Sequence, residues 1–572
     1  MTVFFGIIDL KRTEITSTIK KSMKTIMEDD IDGECSFEFS KDFFYCINYD
    51  SGAYKASGLQ VSENGITIIV GDPIINQENN RSIDVLNLHA QFDQGIPKLL
   101  CKARGIFAGI HFDSQKTDCY FFTDKLGLRP VYYYLHNELL IFSSTLSYLE
   151  KLTFVNLEED FIGICESSAF TYPLADRTAF KHIKILLAGE IFHVKNGHVK
   201  SSTYWNWYTE PLTEKHNNID TICQKAFDTF DEAVRLRLGD ERNVFAFLSG
   251  GLDSRCVTAA LKKHVININT FNFSKEQSQD SEFAKEYSIE LGSHHHEIRM
   301  SKYSYPNWSD LIAKAINDVN IDTERPKYPQ KIWTGDGGSM GTGFVYLDIT
   351  MIEYLETGNF DKAIERFLII NKTGFPYRFV SNYSFNNAKT LIHENVYNEI
   401  SHMVGIPLEK TLYMFLLLND QRRHLSVHFE TIAKHKIELM APFFDSNFLS
   451  ILLSIPIKEG LDHKFYMKWF KLFPEFARIT PWQTYPGHQK CPLAITSELS
   501  NQWESSKIIH DTLKTKADTN HVIRIILNNA SVRRHIRLFS TMIALLFHRY
   551  KINDYSYLID FIKLVSNKIK NS

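Results

Sequence analysis

Between Phe245 and Val257 the chain reads FAFLSGGLDSRCV. Ser249 and Ser254 offer hydroxyl donors, Gly250 and Gly251 let backbone N–H groups approach an anion closely, and Asp253 adds a carboxylate. Phe245 to Leu248 is an apolar run of strand length, and Arg255 to Lys262 can start a helix. The loop therefore lies where a helix start presents its partial positive charge. That combination suits a phosphate or pyrophosphate. A carboxylate beside phosphates repels them unless it holds a cation, which makes Asp253 a candidate Mg²⁺ ligand. A second glycine-rich stretch, Ile332 to Tyr346 (IWTGDGGSMGTGFVY), contains Thr334, Gly335 and another acid, Asp336.

No GxxxxGK[ST] pattern is present at the first loop. The loop instead resembles the SGGxDS pyrophosphate loop of ATP pyrophosphatases, which cleave ATP between the α- and β-phosphates. The elements around it fit that reading. Ile219 to Arg237 reads as a helix with apolar residues at Ile222, Ala226, Phe230, Ala233 and Val234, and Val265 to Phe273 as a second strand. Strand-like and helix-like runs alternate from there on, as in a doubly wound parallel sheet. The first 200 residues differ. Short apolar runs (43–49, 66–70, 106–112, 119–122, 131–135, 139–142) are separated by turns, with helical periodicity clearest at 13–27 and 84–92, which predicts antiparallel sheet covered by helices.

Composition limits the function classes. The chain has 572 residues, 64 basic and 67 acidic, for a net charge of −3, which argues against nucleic-acid or membrane-surface binding driven by bulk charge. Its eight cysteines are scattered without a CxxC pair, as in a reducing cytosol. No signal peptide is legible at MTVFFGIIDL, and the apolar segment 539–547 is far short of the ~20 residues of a membrane span. A soluble, cytoplasmic protein is expected. The run His294-His295-His296 is not read as a metal site, because consecutive side chains on an extended segment point to alternate faces.

Gly105 to Tyr134, GIFAGIHFDSQKTDCYFFTDKLGLRPVYYY, is similar to a segment of asparagine synthetases, with Asp124, Gly127, Arg129, Pro130 and Tyr132 on the pattern. Asp280-Ser281-Glu282, Leu291-Gly292-Ser293, Gln421-Arg422-Arg423, Glu438 and Pro442-Phe443-Phe444-Asp445 follow the same family. The resemblance to the asparagine synthetase B-like family implies an N-terminal αββα glutaminase-like sandwich at residues 1–205, a linker at 206–218, and an ATP pyrophosphatase domain with a helical C-terminal part at 219–572. It implies that ATP binds through Leu248, Ser249, Gly250, Gly251, Asp253, Ser254, Phe273, Thr334 and Gly335, with adenine against Leu248 and Phe273. Asp253 and Asp336 would hold Mg²⁺. Asp336, Lys490 and Lys464 are the candidate catalytic residues, Lys490 being favoured over Tyr485 and His488 for a charge beside the tetrahedral oxyanion. Glu438 and Asp445 are read as architectural.

Three departures bear on glutamine hydrolysis, and others on the ATP site. Thr2 stands where the family has its nucleophilic cysteine, no arginine lies near Gly58-Leu59-Gln60, and Val70-Gly71-Asp72 stands at the Asn-Gly-Glu motif. Ser339 and Met340 occupy the family's Asp and Glu positions in the second loop, and Arg255 replaces a serine, either adding charge near departing pyrophosphate or capping a surface. The expectation is an AMP-forming amide ligase that joins a carboxylate substrate to an amine or ammonia without glutamine hydrolysis, in the direction of β-lactam synthetases and lasso-peptide cyclases. Amidation of aspartate or a sugar uronic acid, and a nucleotide-binding pseudoenzyme, are the alternatives. Neither nucleic acid nor a membrane span is expected, and a partner protein is compatible with the sequence. The basic helical pair 521–548 reads as a solvated face or as a docking surface for an acidic or peptide-like substrate.

Overall fold

A computed structural model describes residues 2–31, 33–76, 80–92, 95–207, 218–265, 267–274, 277–299, 331–385, 387–433, 437–485, 487–495, 499–500 and 512–569. The N-terminal half forms two six-stranded sheets, all of whose described pairings are antiparallel. Period-two alternation builds the layers. On strand Thr2–Asp9, Phe4 and Ile8 point into the core between the sheets with Phe44, Ile66, Ile110, Phe121 and Phe142. Val3, Phe5 and Ile7 point the other way, onto helix Ser17–Ile31, which buries Met23, Met27 and Ile31 at helical spacing. Helix Arg81–Phe92 covers the outer face of the second sheet through Val85, Leu88 and Phe92. The αββα sandwich expected from the sequence is present.

The second half contains a five-stranded sheet with parallel neighbours throughout. Its spatial order places Asn243–Phe247 at the centre, with Asn267–Ser274 and His294–Arg299 to one side and Lys331–Trp333 and Glu438–Met440 to the other. Strand order therefore reverses between Asn243–Phe247 and Lys331–Trp333, the place where open α/β sheets bind ligands beyond their carboxyl ends. Both glycine loops leave from these two strands.

Charged groups join the halves. Asp124 accepts from the backbone N–H of Leu126, Leu128 and Arg129, fixing a turn with Gly127 at φ 66°. The turn presents Arg129, buried, to the buried Glu438 at the far strand of the parallel sheet, and Arg129 also lies 4.0 Å over the Phe429 ring. The apolar core is shared too. Helices Thr512–Asn528, Ala530–His535, Leu538–Arg549 and Ser556–Ile569 return to the N-terminal half, where Val522, Leu545, Leu558 and Ile562 pack in one cluster with Phe5, Tyr148, Phe161 and Ile164.

Candidate active site

The strand, loop and helix expected around Ser249 form as Asn243–Phe247 and Asp253–Lys262 with the loop between them. The loop is held from three sides. Gly250 donates its N–H to Asp280 Oδ1 at 2.9 Å, Asn272 Nδ2 donates to Asp280 Oδ2 at 3.1 Å and to the Leu248 carbonyl at 2.9 Å, and the Gln483 N–H donates to the Gly250 carbonyl at 2.8 Å. Burial raises the Asp280 carboxyl above its ordinary range, and the Gly250 N–H and Asn272 hold it back. Gly250 thus serves close packing: a Cβ there would lie 2.6 Å from the Gln279 carbonyl oxygen. Gly251 is the open one, with only Ser249 Oγ nearby at 3.4 Å. Ser254 Oγ accepts from the Ser249 N–H and lies 3.0 Å from Ser249 Oγ, so both hydroxyls gather at the mouth of the loop.

The second loop lies directly against the first. A Cβ at Gly335 would be 2.5 Å from the Ser254 nitrogen, and one at Gly338 would be 2.4 Å from Asp253 Oδ1. Only glycine permits that approach. Asp253 is half-buried, accepts from Ser339 Oγ at 2.5 Å and from the Tyr466 hydroxyl at 2.5 Å, and is pushed up to about 6, chiefly by burial and further by the nearby Asp336 charge, against those two donors. Asp336 Oδ2 accepts from Thr334 Oγ1 at 2.8 Å. Leu248 and Phe273 end adjacent parallel strands, both buried, and Phe247 meets Phe273 edge-on at 5.9 Å.

Other residues are placed differently. Lys464 pairs with Asp462 at 3.6 Å and its side chain is 48 % exposed, while Lys490 is exposed; neither ammonium contacts Asp253 or Asp336. Arg255 neither faces the phosphate loop nor caps a surface. It is fully buried, donates to the carbonyls of Ala477, Thr480 and Pro481, and lies 4.6 Å over the Tyr287 ring. Its length carries the charge through the helix packing to those carbonyls, where burial lowers it to about 10. Glu438 and Asp445 join domain-bridging ion pairs, as an architectural role requires.

Tyr466 and His428 lack a sequence signal of their own, whereas Asp280 lies on the Asp280-Ser281-Glu282 pattern. Tyr466 and Asp280 both act through contacts distant in the chain. His428, buried and 4.7 Å from the His424 ring, is held down to about 4 by burial and His424, against the pull of Asp336. The extended His294–Arg299 strand behaves as alternation demands: His295 Nδ1 lies 2.9 Å from Thr270 Oγ1, while His296 stacks on Phe271 at 4.8 Å.

In the N-terminal half, Thr2 pairs with Asp50 at the end of its strand. Beyond that end, Arg81 is buried against Gly58 and Tyr54. Its guanidinium donates to the carbonyls of Gly71 at 3.0 Å and Ile69 at 3.2 Å and to that of Ala56, and lies 4.5 Å over the Tyr54 ring. An arginine from a helix thus fills the space beside Gly58, where a Cβ would lie 2.6 Å from Arg81 Nη2.

Residues 82–205 match the family model described as glutamine amidotransferase domain, and residues 225–327 the one described as asparagine synthase. Curated relatives include glutamine-hydrolyzing asparagine synthetases of Cricetulus griseus, 24 % identical over 75 % of this chain and 70 % of that protein, and of Homo sapiens, 22 % identical with the same coverage. Among solved structures, a glutamine phosphoribosylpyrophosphate amidotransferase from B. subtilis is 12 % identical with a TM-score of 0.23 over 59 % of this chain and 77 % of that one, too slight a likeness to bear on the site. The chain thus carries a segment that matches the glutamine amidotransferase model ahead of one that matches the asparagine synthase model, and it is similar to asparagine synthetases over three quarters of its length, 75 %.

Proposed function

We propose that this chain is an ATP-dependent, AMP-forming amide ligase that adenylates a substrate carboxylate and passes the acyl group to a nitrogen nucleophile without hydrolysing glutamine. The observation that carries the reading is the packing of Gly335 and Gly338 against Ser254 and Asp253, which joins two glycine loops at the switch point of a parallel sheet. Phosphates would lie along Gly251, Ser249 and Ser254, with adenine against Leu248 and Phe273.

Asp253 and Asp336 fit a Mg²⁺ site, since the Asp336 charge adds to the cost of charging Asp253 unless a cation lies between them. No group of three or more metal-type side chains occurs among the described residues, so phosphate oxygens and water would complete the coordination. When bound, the ion would neutralise the phosphate charge. The loop holds the α-phosphate in line with the incoming carboxylate; the C–O–P bond forms as the bond to pyrophosphate breaks, and the amine then displaces AMP and loses a proton. Lys490 is assigned to the oxyanion of that second step.

Loss of glutamine hydrolysis is read from Thr2, from the absence of arginine near Gly58-Leu59-Gln60 and from Val70-Gly71-Asp72; it is supported by Arg81, whose side chain satisfies the carbonyls of Ala56, Ile69 and Gly71 and occupies the room beside Gly58. The test is pyrophosphate release on adding candidate carboxylates, with isotopically labelled glutamine, ammonia or substrate amine followed into the product. Carboxylate-independent or absent pyrophosphate release sinks the ligase reading, and glutamine label in the product sinks the loss of hydrolysis.

A further inference from the structure

The net charge of −3 conceals a segment of opposite character. From Thr519 to Asn553 there is no acidic residue, while Arg524, Arg533, Arg534, Arg537, Arg549 and Lys551 fall within it. The arginines meet neutral partners: Arg533 donates to the Ile526 and Leu527 carbonyls, Arg537 to Asn382 Oδ1 and Arg549 to Asn520 Oδ1. Among the described residues none of these five arginines forms an ion pair.

The same segment exposes apolar surface. Helix Leu538–Arg549 buries Thr541, Ala544, Leu545 and His548 against its neighbours. Its other face carries Phe539, Ile543, Leu546, Phe547 and, just beyond, Tyr550, at i, i+4, i+7, i+8 and i+11. Phe539 is 81 % exposed, Tyr550 66 % and Ile552 60 %, so these apolar side chains project into solvent. A ridge of aromatic and aliphatic side chains flanked by unneutralised arginines is the composition of an interfacial helix on an anionic bilayer.

We propose that the face formed by Phe539, Ile543, Phe547 and Tyr550, with Arg534, Arg537 and Lys551 at its rim, docks this protein on a membrane surface rich in anionic phospholipid. The aromatic side chains enter the headgroup boundary and the arginines contact lipid phosphates. The protein spans nothing: among the described residues no helix is long and apolar enough to cross a membrane.

The experiment is flotation of the full-length protein with vesicles of phosphatidylcholine alone or mixed with phosphatidylglycerol. Binding is expected only to the mixed vesicles and to weaken with salt. Phe539→Glu combined with Phe547→Glu is expected to weaken it at least about tenfold, and Arg534→Gln with Arg537→Gln to do so about as strongly, with unfolding transitions unchanged because all four side chains are at the surface. Absence of binding to mixed vesicles overturns the proposal, as does unaltered binding by the aromatic pair. Self-association in light scattering that the aromatic pair abolishes would assign the face to a second copy, and binding to polyglutamate but not to vesicles would assign it to an acidic polypeptide; either result overturns it.

Discussion

Ser339 Oγ donates a hydrogen bond to Asp253 at 2.5 Å, from the second glycine loop to the first. A hydroxyl in that place steadies Asp253 without adding charge, so the proposed Mg²⁺ would meet the carboxylates of Asp253 and Asp336 alone. Replacing Ser339 with Asp adds a third charge. The half-saturating Mg²⁺ concentration for ATP cleavage is expected to fall by about tenfold, since affinity at oxygen sites follows ligand charge. An unchanged Mg²⁺ requirement would mean that position 339 does not face the ion.

The two glycines of the first loop are predicted to fail in different ways. Ala at 250 places a Cβ 2.6 Å from the Gln279 carbonyl oxygen and 2.8 Å from Asp280 Cα, both backbone, so the loop or the following helix must shift. A cost of about 1–3 kcal/mol is expected, read as a lower unfolding midpoint. Ala at 251 meets only Ser249 Oγ at 3.4 Å, so the midpoint holds while ATP binding weakens. Equal effects on stability would remove the distinction between a packing glycine and a phosphate-facing one.

What was legible in the sequence followed the range of the interactions. The strand, loop and helix around Ser249 were readable because apolar run, glycines and helix start are consecutive, and the sandwich because alternation is local to each strand. The partners of Asp253 were not: Ser339 is 86 residues away and Tyr466 213, and nothing in the type of either residue marks it as a donor to that carboxylate. Arg81 was silent for another reason, because it binds backbone carbonyls, which every residue possesses. Arg255 was misplaced because sequence adjacency to a phosphate loop says nothing about which face of the helix a side chain takes.

Glu430 gives a pH prediction. It accepts from the Leu146 N–H at 3.3 Å across the two halves, and burial pushes it up to about 7 from 4.5, against the Tyr132 hydroxyl and the Leu146 N–H. Because the folded value is raised, the unfolded chain ionises first: the cost begins above pH 4.5, grows to about pH 7 and is constant beyond, reaching on the order of 3 kcal/mol. Glu430→Gln is expected to raise the unfolding midpoint at pH 8 and to leave it nearly unchanged at pH 4. A variant destabilised at both values would show that Glu430 works there as an anion.

Lys490 and Lys464 are separable by kinetics. If Lys490 reaches the oxyanion when substrate is bound, Lys490→Ala lowers kcat by about 10²–10³ with partial recovery in Lys490→Arg, while ATP affinity holds. Lys464, paired with Asp462 at the surface, should tolerate Ala with little change in kcat. The opposite ranking would reassign the charge to Lys464, and indifference of both would leave it to Tyr485 or His488.

Asp445 is the buried hinge pin between the halves. It accepts from Arg104 Nη2 at 3.1 Å, from the N-terminal half, and from Arg237 Nη1 at 2.9 Å, from the second, while Arg104 also reaches Glu232 at 2.7 Å. Asp445 is fully buried and Arg237 nearly so, so Asp445→Asn keeps the shape but strands guanidinium charge in a dry interface. A loss of about 3–5 kcal/mol is expected. Because Arg104 reaches the second half through this cluster, calorimetry should show one unfolding transition divide into two. The exposed pair Lys55–Asp240 spans the same halves at 3.1 Å, and Lys55→Ala should leave the transition where it was, because solvent already screens that pair. If both variants behaved alike, the coupling would reside in the shared apolar cluster of the C-terminal helices and not in the ion network.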